Sequence, residues 1–175
     1  MQPGLFWLLT ALKLQSSPGG GFIDATEGKQ FYSVREKDMP ALLKLGDGLG
    51  FMGNDTFIEI EKSTREGLVY QPVATTASRF VLAAVKGKDL LPSPTPLRIA
   101  TSYPEVARMS LLTAGVNCGS VLKMGGSVEA APYIDPTIDA IFDIVETGDT
   151  LRENGLEIVF DNLAPVKVGA VWKRN

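Results

Sequence analysis

From residue 97 onward, apolar runs and helical patterns alternate at regular spacing. Residues 97–101 read as a strand, 104–114 as a helix closed by Gly115, 120–124 as a strand, 128–133 as a short helix and 140–145 as a further strand. A helix over 150–154 ends at Gly155, and strands over 157–160 and 166–172 follow. Alternation of this kind calls for crossover connections and a largely parallel sheet.

Before residue 97 the pattern is less regular. Residues 1–15 read as a helix with apolar positions around much of its circumference, and Ser16-Ser17-Pro18-Gly19-Gly20-Gly21 breaks it. Residues 30–34 have strand composition, while Asp38, as N-cap, and Pro40 mark the start of a helix running to Leu45. Four glycines surround Leu49, Phe51 and Met52 in residues 46–53, which predicts a buried strand between tight turns. Residues 55–62 give a helical turn or two. Two more strands are predicted over 68–73 and 79–85, the second apolar enough to be covered on both faces. Three prolines and a glycine within 86–96 predict a crossover between two α/β units.

Composition narrows the chemistry. A chain of 175 residues can bury a core without staples, and its single Cys118 excludes internal disulfides and multi-cysteine metal sites. That usage fits a reducing compartment and predicts a cytoplasmic location. With no histidine, imidazole acid–base catalysis and histidine metal ligands are excluded. A net charge of −3 offers no basic field for nucleic acid, and residues 5–12 fall well short of the ~20 apolar residues that span a membrane. They also lack the basic flank of a signal peptide.

The strongest local signal is Asp143-Ile144-Val145-Glu146-Thr147-Gly148-Asp149-Thr150, an apolar strand running into a Thr-Gly-x-Thr turn that opens a helix. Unpaired amides at such a turn, the hydroxyls of Thr147 and Thr150, and close approach at Gly148 suit a phosphate. A plain helix cap made by Thr147 or Asp149 is the competing reading. Asp139 and Asp143 lie four apart on one strand face, placed ahead of the loop, where carboxylates can hold ribose hydroxyls or a Mg²⁺ carried by a pyrophosphate. Asp139 reads equally as a solvated strand start, and Glu129 as a first-turn acid favoured by its helix. Arg79 is either a phosphate partner in the cleft or one half of a surface ion pair.

Three segments resemble the ATP phosphoribosyltransferase family, which catalyses the first step of histidine biosynthesis. Arg98-Ile99-Ala100-Thr101-Ser102-Tyr103-Pro104 is similar to its R-I-A-T-x-Y-P, and Gly126-Ser127-Val128-Glu129-Ala130-Ala131-Pro132 to its G-S-V-E-x-A-P. Residues 139–156 are similar to its D-A-I-x-D-[IL]-V-x-T-G-x-T-L-x-x-N-G-L. Residues 34–55 and 78–83 resemble its first domain more loosely.

The resemblance implies a two-lobed, periplasmic-binding-protein-like α/β fold with mixed, mainly parallel sheets and an interdomain cleft. The lobes would be residues 1–91 with 163–175, and 92–162. It implies transfer of phosphoribosyl from phosphoribosyl pyrophosphate to N1 of ATP, a pentosyltransferase reaction using Mg²⁺. Glu129 and Asp143 take the catalytic roles. Arg79, Asp139, Glu146, Thr147, Gly148, Asp149 and Thr150 bind substrate, with Mg²⁺ near Asp143 and no certain protein ligand. Implied partners are further copies of the chain and, for a short-form enzyme, an aminoacyl-synthetase-like regulatory subunit. The family opens with a strand and a Pro-Lys-Gly-Arg-Leu-like turn, whereas this chain opens Met1-Gln2-Pro3-Gly4-Leu5. A second reading follows from that difference: a relative without activity that binds a phosphorylated nucleotide or sugar as a regulator or sensor.

Overall fold

The computed structural model describes residues 14–17, 21–24 and 30–174. Its contacts divide the chain into a unit over Met1–Met39 and a unit over Pro40–Asn175. The first contains a three-stranded antiparallel meander, β1 (Leu14–Ser17), β2 (Gly21–Asp24) and β3 (Gln30–Tyr32). Most of the helix expected over 1–15 lies outside the described residues, as do the positions of the family's opening turn. Leu14 and Gln15 are described, and they begin β1 rather than end a helix.

The second unit is built on a six-stranded mixed sheet. Its strands are β4 (Leu49–Gly53), β5 (Leu68–Val85), β6 (Leu97–Thr101), β7 (Cys118–Lys123), β8 (Ala140–Val145) and β9 (Leu156–Lys173), in the order β4-β9-β5-β8-β6-β7. The helices are α1 (Met39–Leu45), α2 (Asn54–Glu59), α3 (Lys62–Arg65), α4 (Pro104–Thr113), α5 (Ala131–Ile134) and α6 (Asp149–Glu153). Parallel pairing is confined to β6 with β7 and β6 with β8, where helical crossovers supply it. The remaining neighbours, β4/β9, β9/β5 and β5/β8, are antiparallel. The α/β class with a mixed sheet is therefore as expected, but the sheet is not mainly parallel: the long strands β5 and β9 pair with each other and their neighbours antiparallel, and only the β6 pairs have helical crossovers.

Two differences from the sequence expectation share one cause. Residues 68–73 and 79–85 belong to the single strand β5, and 157–160 and 166–172 to the single strand β9. Pro72 and Pro165 look like strand ends, yet both are accommodated beside register irregularities, where a missing N–H costs the ladder little. β4 differs too: it is an edge strand with Gly50 and Met52 buried but Leu49 and Phe51 more than half exposed, not a buried strand.

Strict alternation sends the core to both faces of β5, β6 and β8. Phe80, Leu82, Ile99, Ala140 and Phe142 pack under α4 through Val106, Ala107 and Leu111. Phe80 stacks on Phe142, with ring centroids 5.0 Å apart, and takes Tyr103 edge-on at 5.3 Å. Val81, Ala83, Ala100, Ile141 and Val145 face the other way, beneath Val128, Ala131 and Leu151. The candidate site lies on that second face.

The start of α4 is capped from a distance. Glu59 at the end of α2 accepts hydrogen bonds from the amides of Glu105 (2.7 Å) and Val106 (2.9 Å) through Oε1. Burial pushes the Glu59 carboxyl up despite these bonds. Asn54, at the start of α2, meanwhile accepts from the Lys167 amide at 2.8 Å, tying the helix to β9. Glu59→Ala is expected to lose about 1–2 kcal/mol in urea unfolding, because two helix-end amides lose their acceptor. Glu59→Gln keeps an acceptor oxygen and removes the buried charge, so its unfolding midpoint should stay near the wild type.

Candidate functional site

Glu129, Asp143 and residues 144–151 line one cavity of about 250 Å³. The elements explain the convergence. Asp143 occupies an inward position of β8 between Ile141 and Val145, paired across the ladder with the fully buried Val81. Glu129 lies in the 3-10 turn Val128–Ala130 that covers the same face, entered through Ser127 at φ 50°. β8 then runs out into Glu146-Thr147-Gly148, and Gly148 at φ 82° turns the chain into α6. Left-handed backbone at that position favours glycine.

The electrostatics single out Asp143. Burial, first, and the nearby charge of Glu129, second, push its carboxyl above the ordinary range, while a hydrogen bond from the Ile144 amide (2.8 Å) opposes them. A carboxylate held this way gains from any cation brought into the cavity. Within the loop, the Thr147 hydroxyl donates to Asp149 Oδ2 (2.6 Å) and accepts from the Asp149 amide at 3.3 Å. Arg152, which sequence reasoning missed, pairs with Asp149 and also donates to the Thr147 carbonyl at 3.4 Å. The Asp149 charge is thus offset by a cation three residues on, and Thr147 and Gly148 amides have no acceptor among the described residues. The arrangement can accept an anion at the loop and a cation at the acids.

Two expected residues are not in the cavity. Asp139 shares the face of Asp143 but precedes β8, at the end of the strand away from the loop. Its carboxylate is committed there to Lys88 (3.2 Å) and to the Arg98 amide (2.9 Å). Arg79 reaches the cavity only through its wall. Its Nε and Nη2 donate to Asp161, at 2.6 and 3.1 Å, and its Nη1 donates to the Glu146 carbonyl at 2.8 Å. A larger hollow, about 600 Å³, lies at the β7 edge beside α4, lined by Arg108, Val116 and Cys118 among others, remote from both acids and from the loop. Among the described residues no group of three or more Asp, Glu, Cys or His is placed to hold a metal, and no helix is long and apolar enough to cross a membrane.

A strand–loop–helix beside two acids, at the end of an open α/β sheet, is the place where such folds offer backbone amides to small anionic ligands. The comparisons place the molecule more narrowly. Residues 35–174 match the family model HisG: ATP phosphoribosyltransferase, and the chain belongs to that family. An ATP phosphoribosyltransferase of Clostridium acetobutylicum is 33% identical over 154 residues, 87% of this chain and 69% of the relative. A solved structure titled as the ATP phosphoribosyl transferase (HisG:HisZ) complex from Thermotoga maritima superposes with TM-score 0.66 at 34% identity, covering 97% of this chain and 80% of that one. An amino-acid ABC transporter extracellular-binding protein from Bacillus subtilis gives TM-score 0.50 at 14% identity, covering 92% of this chain and 82% of its own. That likeness supports the periplasmic-binding-protein-like fold and nothing more. The chain spans 59% to 69% of the length of the first curated relatives it matches.

Proposed function

We propose that the chain transfers phosphoribosyl from phosphoribosyl pyrophosphate to N1 of ATP, releasing pyrophosphate, as the first committed reaction of histidine biosynthesis in the cytoplasm. The observation that carries the reading is the single cavity in which Glu129 and Asp143 face a loop with unpaired amides. A 5-phosphate on the Thr147–Thr150 loop puts the sugar against the two acids, and both carboxylates then stand near the positive charge that develops at the anomeric carbon. The volume suits a phosphorylated pentose, so ATP approaches from outside this cavity.

Glu129 and Asp143 also fit a hard oxygen-binding cation. Two carboxylates lining one cavity, one of them raised mainly by burial and a little further by the other's charge, make a weak protein site that phosphate oxygens complete, as Mg²⁺ prefers. When bound, Mg²⁺ neutralises the pyrophosphate leaving group. The two-lobed division, 1–91 with 163–175 and 92–162, belongs to the same reading, as do assembly with further copies and with a regulatory subunit. The similar HisG:HisZ complex from Thermotoga maritima supports that partner class.

The test is turnover of ATP and phosphoribosyl pyrophosphate with Mg²⁺, followed by product absorbance, with and without a candidate regulatory subunit. Product formation in either condition is expected. Tight ligand binding with no product in both would replace the enzyme by the regulatory relative.

A further inference from the structure

We propose that Asp161 is a positioning residue for the anion loop, acting through Arg79. The proposal rests on the functional reading above only for the ligand, not for the contact itself. β9 leaves register with β5 at this point: Phe80 pairs with Ala164 but Leu82 pairs with Phe160, so residues 161–163 are looped out of the ladder. Asn162 takes the left-handed conformation there, φ 54°, and its amide donates to Asp161 Oδ1 at 2.7 Å. A bulge of this kind re-aims a side chain, and here the carboxylate meets Arg79 as a two-point fork. Isolated exposed ion pairs contribute little, but a bidentate guanidinium–carboxylate pair fixes the orientation of both planes.

What the fixed guanidinium does next is the point. Its third bond goes to the Glu146 carbonyl, which belongs to the same peptide unit as the Thr147 amide. Because that unit is planar and trans, holding the carbonyl toward Arg79 directs the Thr147 N–H the opposite way. This amide is one of the loop donors without a protein acceptor. Asp161 therefore sets the direction of a donor in the anion site without lining the cavity itself. Arg79 also holds Asp161 below the usual carboxylate range, so the fork is intact at neutral pH and opens only in acid.

The experiment compares the whole chain with Asp161→Ala, Arg79→Ala and the double variant. In the unliganded protein, amide hydrogen exchange at Asp149 and Arg152 should speed up about tenfold in each single variant, with the Phe142 amide in β8 unchanged. Unaltered loop protection would overturn the proposal. Titration with phosphoribosyl pyrophosphate should show each single variant weaker by a similar factor of about ten, and the double no weaker than either. Additive losses, or a far larger loss for Arg79→Ala, would mean that Arg79 meets the ligand on its own account and would sink the positioning role. A wild type that fails to bind phosphoribosyl pyrophosphate defeats the functional reading instead, and the exchange data still decide the contact.

Discussion

Asp143→Asn is expected to lower the transfer rate by about 100-fold or more while making the protein more stable at neutral pH. The substitution is nearly isosteric and keeps an oxygen for the Ile144 amide, so the loss of rate reports charge rather than packing. The stability change follows from linkage. A carboxyl whose folded pKa lies above its unfolded value stabilises the fold when protonated, and that contribution disappears as pH rises through the folded value. At neutral pH the wild type therefore carries a charge that the fold disfavours, and asparagine removes it. Thermal unfolding should show a gain on the order of 1 kcal/mol near pH 7, shrinking to nothing below the ordinary carboxylate range. A pH–rate profile adds a check on Glu129, whose charge is the smaller of the two causes. Glu129→Gln should move the acid limb of residual activity to lower pH, and an unmoved limb would assign it to another group.

Gly148→Ala should weaken phosphoribosyl pyrophosphate binding by about tenfold or more and destabilise the protein by about 1–2 kcal/mol. Space is not the reason, since an added Cβ would sit 3.5 Å from Ile158 and 3.7 Å from Arg152, ordinary contact distances. The cost comes from φ 82°, which a non-glycine residue relieves by turning the Gly148 peptide. Turning it redirects the amide offered to the phosphate. Calorimetric titration of both proteins, with urea unfolding alongside, separates the two effects. Unchanged affinity with a destabilised fold would reduce the loop to a structural cap.

Much of the second half of the fold was legible because its punctuation is local. Gly115 and Gly155 close their helices at φ 71° and 70°, and Pro104 opens α4, as sequence alone suggests. The length of β5 and β9 was not legible, for their continuity depends on pairing with each other across irregularities that no short window contains. In the site, parity along β8 correctly put Asp139 and Asp143 on one face but could not say that Asp139 lies at the far end, where Lys88 and the Arg98 amide engage it. That Asp143, Thr147 and Gly148 would come together was legible because a strand–turn–helix holds them within eight residues, and they line one cavity. Asp161 was missed, although an Asp-Asn pair between two apolar runs is a recognised signal for a left-handed turn residue.

The two long strands also set the order in which the molecule can assemble. Leu49 of β4 pairs with Trp172, and the length of β5 pairs with residues 156–173, so the strand that joins β4 to the rest of the sheet lies far along the sequence from both. Until it arrives, β4 has no neighbour in the sheet and β5 keeps only β8. Loop-closure entropy over such separations must be met before those contacts form, which makes folding slow for the chain's size. Until β9 pairs, strands 49–53 and 79–85 keep apolar surface uncovered, and the loop after β8 lacks the Asp161 contact that holds Arg79 against it.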